Sequence, residues 1–148
     1  MEYTIEFSGS PQDVTITTYG PASRDGLVGL VQDLVDDPRF RPGMFVLVDH
    51  LALDATTING DDIRAQAQRV INLEEELGPC TLAIVVPTPL AFGYARMYEL
   101  HTAETQIHSR VIYNRRDGLA WLDAKRQAHE RRSTERALDI REASENVI

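Results

Sequence analysis

The stretch "MFVLVDHLALDATTINGDD" at residues 44–62 decides the fold. Its first part, MFVLV, is an apolar run of strand length, which is typical of a central strand buried on both faces. We predict that this strand ends at Asp49, that a ten-residue loop follows, and that a helix begins after Asn59. Loops that follow the carboxyl end of a strand carry the chemistry of many α/β proteins. This loop is therefore an active site, a phosphorylation switch or only a connection.

Strands and helices alternate on both sides of this stretch. Upstream, apolar residues at every second position predict an N-terminal β-hairpin, and an apolar stripe after Ser23 predicts a helix. Downstream, the run TLAIVV at 81–86 predicts a second buried strand, and Thr88 followed by proline begins a further helix. A last strand at 107–113 leads into a fourth helix. The order predicts an α/β fold with a central, mostly parallel sheet of about five strands and about four helices.

Length and composition exclude several classes of function. The chain has 148 residues, of which 43% are hydrophobic, and this is enough for one domain with a proper core. Its net charge of −8 argues against nucleic acids and anionic membrane surfaces, which select basic proteins. Cys80 is the only cysteine, so the sequence offers no disulfide frame and no metal-binding pair. We expect a cytoplasmic protein that spans no membrane and needs no metal or cofactor.

Two stretches, "DPRFRPGMFVLVD" at 37–49 and "AIVVPTPLAFGYARMYE" at 83–99, resemble the SpoIIAA-like proteins. This is a bacterial family in the superfamily of STAS domains (anti-sigma-factor antagonists), related in fold to CRAL-TRIO lipid-binding domains. The matching features are the Asp-Pro-Arg-Phe-x-Pro-Gly link, Asp49 at the end of the central strand, and the Ala91-Phe92-Gly93 and Ala95-Arg96-Met97 helix. We therefore predict a SpoIIAA-like domain at residues 1–122 and a helical extension at residues 123–148.

The resemblance implies a small binding or regulatory module, in some members with an apolar cavity. STAS domains are switched by phosphorylation of a Ser in an Asp-Ser-Ser-Gly stretch after the central strand. The same positions here hold Thr57, Ile58, Asn59 and Gly60, so neither Ser is present. Thr56 lies one residue earlier and does not restore the pattern. We predict that the phosphorylation switch is missing.

The polar residues of the loop have a structural interpretation beside a functional one. Asn59 is predicted to cap the following helix, whose first turn is acidic. In the functional interpretation, the loop would contact a ligand or a protein partner through Asp49, Asp54, Thr57 and Asn59. No nucleophile elbow, phosphate-binding loop or partner base accompanies them, so we predict that the protein is not an enzyme. An uncharacterised hydrolase is the weakest of the alternatives.

The helix that begins near residue 89 carries the predicted ligand site. Phe92, Gly93 and Met97 combine an aromatic ring, a gap and a deformable side chain, which suits a small apolar ligand. Arg96 pairs either with a ligand headgroup or with an acid such as Asp49. We predict a non-enzymatic module that binds a small apolar or lipid-like ligand beside this helix. The main alternative is a STAS-type regulator that docks a protein through the loop.

The sequence after Leu122 predicts a longer helix. It contains opposite charges four residues apart, which support a helix, at Arg126/Glu130, Arg131/Glu135 and Arg141/Glu145. Apolar residues return only near the end, where one helical face collects Ile140, Ala143 and Val147. We predict that the helix continues past Leu122 and that its end packs on a second copy in a homodimer; a frayed, solvated terminus is the alternative.

Overall fold

The part of the chain that the structure describes, residues 1–146 of a computed structural model, folds around one sheet of five strands. The strands lie side by side in sequence order: β1 (Glu2–Phe7), β2 (Val14–Pro21), β3 (Phe45–Asp54), β4 (Thr81–Val85) and β5 (His108–Ile112). β1 and β2 form the predicted antiparallel hairpin, and the later neighbours are parallel. The predicted α/β fold with a mostly parallel five-stranded sheet is confirmed.

The helices cover both faces of the sheet. They are α1 (Arg24–Asp36), α2 (Gly60–Asn72), α3 (Glu74–Leu77), α4 (Pro89–His101) and α5 (Arg115–Glu145), and a 3-10 turn spans Ala55–Thr57. α1, α2 and α4 pack side by side on one face, whereas α5 lies on the other. α3 is a single turn, and the other four are the helices that the sequence predicts.

The alternation of side chains along the central strands divides the core in two. In β3, Val46 and Val48 point into the larger core beneath α1, α2 and α4. Phe45 and Leu47 point the other way, toward Leu122 of α5. Both strand faces are therefore buried, as the apolar run predicts.

Local capping fixes where the helices begin. The side chains of four residues accept hydrogen bonds from the first turn of a helix: Ser23, Asn59, Thr88 and Asn114. A left-handed glycine ends α3, since Gly78 has a φ of 66°. Each of these positions is readable from the sequence because a cap depends on its immediate neighbours alone.

β3 is longer than predicted. It does not end at Asp49 but continues to Asp54. The cause lies in β2, which continues to Pro21 and pairs with residues 52–54 of β3 after a register shift. The predicted ten-residue loop is therefore reduced to the 3-10 turn and two residues that lead into α2.

α5 continues past Leu122, as the sequence predicts, and runs for 31 residues. Arg126 holds its middle to the sheet: the guanidinium lies 2.8 Å from the Asp13 carboxylate and 4.4 Å from the centre of the Phe45 ring. From Glu130 to residue 146 every side chain is exposed. Val147, which the sequence places on an apolar face, lies outside the described residues. Within residues 1–146, no helix is both long and apolar enough to cross a bilayer.

Candidate functional site

An apolar cavity of about 100 Å³ lies inside the larger core, between the sheet and α1, α2 and α4. Each of these elements contributes to its wall. The lining residues from the sheet include Ile16, Val46, Val48, His50, Leu53, Ile84 and Val86, and those from the helices include Leu27, Leu30, Val31, Ile63, Gln66, Val70, Ala91, Tyr94, Ala95 and Tyr98. Side chains that are partly accessible, such as Leu53, Ala55 and Ile58, lie where β3 meets α2. We infer that the cavity opens toward this end of the sheet.

Two alanines explain why α4 leaves space above the sheet. Ala91, Tyr94, Ala95 and Tyr98 lie at the spacing of one helical face, and all four line the cavity. Both alanines are buried, and each carries only a methyl group, which leaves space between α4 and the strands. The hydroxyl of Tyr94 donates a 3.0 Å hydrogen bond to the carbonyl oxygen of Ile58, which holds α4 against the loop before α2.

Two polar side chains, His50 and Gln66, interrupt this apolar wall. The Nδ1 atom of His50 lies 2.6 Å from the Thr18 hydroxyl oxygen, so its Nε2 is the ring nitrogen left without a protein partner among the described residues. Burial lowers the pKa of His50 to about 4, and the neighbouring Asp49 carboxylate opposes this shift only in part. The imidazole is therefore neutral at pH 7. The Gln66 amide likewise makes no hydrogen bond to the part of the chain that the structure describes.

The opposite end of the cavity also carries groups that stay uncharged. The thiol of Cys80 donates a 2.9 Å hydrogen bond to the carbonyl oxygen of Leu77, and burial raises the pKa of this thiol to about 11. Burial also raises the pKa of Tyr98 far above its ordinary value. Cys80 is a small core residue, buried within the larger apolar cluster.

The four predicted ligand residues lie on the other sides of α4 and are not among the lining residues. Phe92 stacks on Tyr113 with ring centres 4.9 Å apart, and Gly93 is exposed, with nothing within 4 Å of an added Cβ. Arg96 pairs at 3.1 Å with Glu99, and Met97 packs against the start of α2. A cavity beside this helix exists, but the helical period places other residues in its wall. The role of these four residues in ligand binding stays a prediction.

The predicted partner-loop residues are brought together near the end of β3, and each already has a partner within the chain. Asp49 accepts a hydrogen bond from the backbone N–H of Leu51 and pairs at 2.9 Å with Arg115 of α5. Asp54 accepts hydrogen bonds from both the hydroxyl and the backbone N–H of Thr56, and these bonds lower the pKa of its carboxyl. These carboxylates fix the ends of elements to one another.

Thr57, the first of the four residues compared with the Asp-Ser-Ser-Gly stretch, is also hydrogen-bonded within the chain. The Thr57 hydroxyl donates a 2.6 Å hydrogen bond to the carbonyl oxygen of Ala22, which joins this turn to the segment before α1. Asn59 caps α2 as predicted, since its side-chain oxygen accepts from the N–H groups of Asp61 and Asp62. The Asp62 carboxylate in turn accepts from the N–H of Asn59, which completes a capping box.

Removing this cap should have a measurable cost. We expect Asn59→Ala to lower the free energy of unfolding by about 1 kcal/mol, because two N–H groups of the first turn lose their acceptor. Asn59→Ser, which keeps a capping oxygen, should stay close to wild type. Urea unfolding followed by circular dichroism measures both. Equal losses in the two variants would contradict the capping role.

The lowered pKa of His50 predicts an acid-sensitive contribution to stability. Its pKa is about 4 in the folded chain and 6.5 when unperturbed, so the unfolded state binds more protons between these values. The contribution is complete above pH 6.5 and is lost as the pH falls toward 4. We expect about 2 kcal/mol of this loss between pH 7 and pH 5.

The matched variant is His50→Asn, which removes the titrating group. Urea unfolding at pH 7 and pH 5 should show a smaller pH dependence in this variant than in wild type, whatever the variant's absolute stability. A wild-type pH dependence that His50→Asn preserves in full would show that His50 is not its source.

His50, Gln66, Tyr94 and Tyr98 were not predicted as site residues. The sequence does carry a signal for Tyr94 and Tyr98. They are four residues apart, so they lie on one helical face together with Ala91 and Ala95. The sequence also carries a signal for Gln66, since this polar residue lies within the apolar stripe of α2. For His50 the signal is absent, because its burial depends on the unpredicted extension of β3.

Comparisons with known proteins bear on the fold. No family model matches the sequence, and no curated protein does so either. Among solved structures, the chain is similar to an uncharacterized protein of the DUF3478 family from Shewanella loihica PV-4, described as having a SpoIIAA-like fold. The match has a TM-score of 0.52 and 16% sequence identity, and it covers 82% of this chain and 92% of the other. The chain thus has a SpoIIAA-like fold, as its sequence predicts.

Proposed function

We propose that this domain is a non-enzymatic binding module that holds a small apolar molecule in the cavity beneath α1, α2 and α4. The cavity itself carries the proposal. Protein cores are packed as densely as organic crystals and contain few voids larger than a water molecule. A space of about 100 Å³ is several times what one water needs, and its wall is almost entirely apolar.

The energetic cost of such a space supports a ligand. At about 24 cal/mol per Å³, an unfilled cavity of this size lowers stability by roughly 2 kcal/mol. A bound apolar molecule would recover much of that loss through contacts with the wall. Apolar cavities of comparable size accept molecules as large as benzene. The size therefore favours a small apolar molecule over a long lipid chain held entirely inside.

Mass spectrometry of the gently released protein tests this proposal. We expect the purified wild type to carry, or to take up from an organic extract of its host, a small molecule of low polarity. A variant with a filled cavity, Ala95→Leu, should carry none. A ligand that remains bound in the folded variant would place binding elsewhere. Recovery of a protein partner with the cavity empty would favour the alternative, a STAS-type regulator that docks a protein.

We also propose that the end of α5 contacts a second copy of the chain. The support is its length, because residues 131–145 extend about 22 Å beyond the domain with every side chain exposed. Two apolar residues on this segment, Leu138 and Ile140, are 52% and 62% exposed. Burial of these side chains in a dimer would remove them from water.

Truncation tests the dimer. Because Arg126 anchors α5 to the sheet, the chain should be cut after Glu130 rather than nearer Leu122. We expect the shortened protein to keep the free energy of unfolding of the full chain within about 0.5 kcal/mol when both are measured at a concentration at which they are monomers. Its mass by light scattering should fall from that of a dimer to that of a monomer. A full-length protein that is monomeric at micromolar concentration would contradict the proposal.

A further inference from the structure

The two polar side chains of the cavity wall lie at comparable depth. His50 precedes the end of β3 by four residues, or about 13 Å, and Gln66 follows the start of α2 by six residues, or about 9 Å. β3 and α2 run in opposite directions from the same end of the sheet. Both side chains line the cavity, and His50 lies at the carboxyl edge of the parallel strands, since its neighbour Asp49 pairs with Val85, the last residue of β4.

Both groups have hydrogen-bonding capacity to spare. The Thr18 hydroxyl occupies Nδ1 of His50, which leaves Nε2 for another partner. The Gln66 amide can donate and accept, and it makes no bond to the described residues. Both residues are half-buried, so these free polar atoms reach water when no ligand is bound. A ligand group that reaches this end of the cavity would meet two unused partners.

The same wall offers no compensation for a charged ligand. No Lys, Arg, Asp or Glu lines the cavity within residues 1–146. Asp49, next to His50 in β3, pairs with Arg115 of α5 on the opposite face of the sheet. His50 itself is neutral at pH 7 because burial lowers its pKa. An ionised group in this cavity would lose its hydration without gaining a counterion, at high cost.

We propose that the ligand is an uncharged molecule with an apolar body and one hydroxyl or carbonyl group, which hydrogen-bonds to His50 and Gln66 at the open end of the cavity. This inference rests on the proposed function and narrows it to a chemical class. An apolar body fills the inner part of the cavity, between α4 and the strands. The polar group fixes which end of the ligand faces outward.

Three probes of nearly equal shape test this class: toluene, benzyl alcohol and benzoate, each titrated into the full chain at pH 7.5 by ligand-observed NMR. We expect benzoate to bind at least roughly tenfold more weakly than benzyl alcohol, because its charge finds no counterion. Gln66→Leu should weaken benzyl alcohol by roughly fivefold and leave toluene unchanged or tighter. Gln68→Leu, on the exposed side of the same helix, should change neither.

The outcomes distinguish a failure of the proposed function from a failure of the inference about the ligand. If toluene and benzyl alcohol both fail to bind at millimolar concentration, the proposed function itself is wrong. If toluene binds but benzoate binds as tightly as benzyl alcohol, the cavity accepts ligands and the inference about charge is overturned. An unchanged affinity ratio of benzyl alcohol to toluene in Gln66→Leu would overturn the role of the polar end.

Discussion

Ala95→Leu is expected to reduce the affinity for toluene by at least about tenfold, because the larger side chain fills the cavity. Ala95 lies on α4 with its methyl group toward the strands, and it lines the cavity between Tyr94 and Tyr98. Leucine adds three carbon atoms at this point. An apolar ligand would then have to displace a covalently attached side chain from the same space.

The matched control is Gly93→Leu, two residues earlier in α4. Gly93 is exposed, and an added Cβ would meet nothing within 4 Å. This variant places a leucine on the same helix but outside the cavity. We therefore expect its affinity for toluene to equal that of wild type. This pair also compares the structure with the sequence-based site, since Gly93 belongs to the predicted ligand set.

Stability distinguishes cavity filling from damage. Filling a cavity commonly adds about 0.5–2 kcal/mol to the free energy of unfolding, whereas overpacking subtracts about 1–3 kcal/mol. Should Ala95→Leu prove too large to fold, Ala95→Val occupies less space and gives a partial loss of affinity. A folded Ala95→Leu variant that binds toluene as wild type does, or a loss in Gly93→Leu alone, would place the ligand on the outer side of α4.

The fold was predictable because most of its determinants are local. The helix starts at Ser23, Asn59 and Thr88 depend on one capping side chain each, and the buried strands are visible as short apolar runs. The end of β3 was mispredicted for the opposite reason. Asp49 and the residues that follow it look like loop, but hydrogen bonds from distant β2 keep them in the sheet. Such pairing is not visible in either segment alone.

A cavity beside α4 was predictable from the sequence, but the residues of its wall were not. The sequence pointed to α4 because aromatic and small residues are concentrated there, and a cavity does lie beside α4. Which face of α4 turns inward depends on how α2 and the sheet pack against it. Phe92 turns instead toward Tyr113, a residue beyond β5 that is distant in sequence. Cavity volume is likewise a sum over many elements, so no single stretch encodes it.

The second large effect concerns the face of the sheet opposite the cavity. We expect Leu122→Ala to lower the free energy of unfolding by about 2–5 kcal/mol, the usual range for a large core side chain reduced to alanine. Leu122 is fully buried, and its neighbours in this smaller core include Leu47 and Val85 of the central strands. Few other side chains cover this face, so little can move in to fill the space.

A control on the same helix separates packing from helix propensity. Leu138→Ala makes the same substitution where the side chain is 52% exposed, and at low protein concentration its effect should stay within about 0.5 kcal/mol. Urea unfolding of both variants below the concentration at which copies associate measures the difference. Equal effects would mean that α5 contributes through its helicity alone.

The close approach of α5 explains why this face depends on so few residues. A Cβ added to Gly118 would lie 3.2 Å from a methyl group of Val85 and 3.3 Å from one of Leu47, so the helix backbone rests almost directly on β3 and β4. Leu122, one turn later, packs on the same two strands, and Arg126 holds the following turn through Asp13. Leu122 thus lies between Gly118 and Arg126 along α5, and its loss removes the apolar contact between these two attachment points. The free end of α5 would then stay attached to the domain mainly through Arg126, by its ion pair with Asp13, its hydrogen bond to the carbonyl oxygen of Pro11 and its contact with the Phe45 ring.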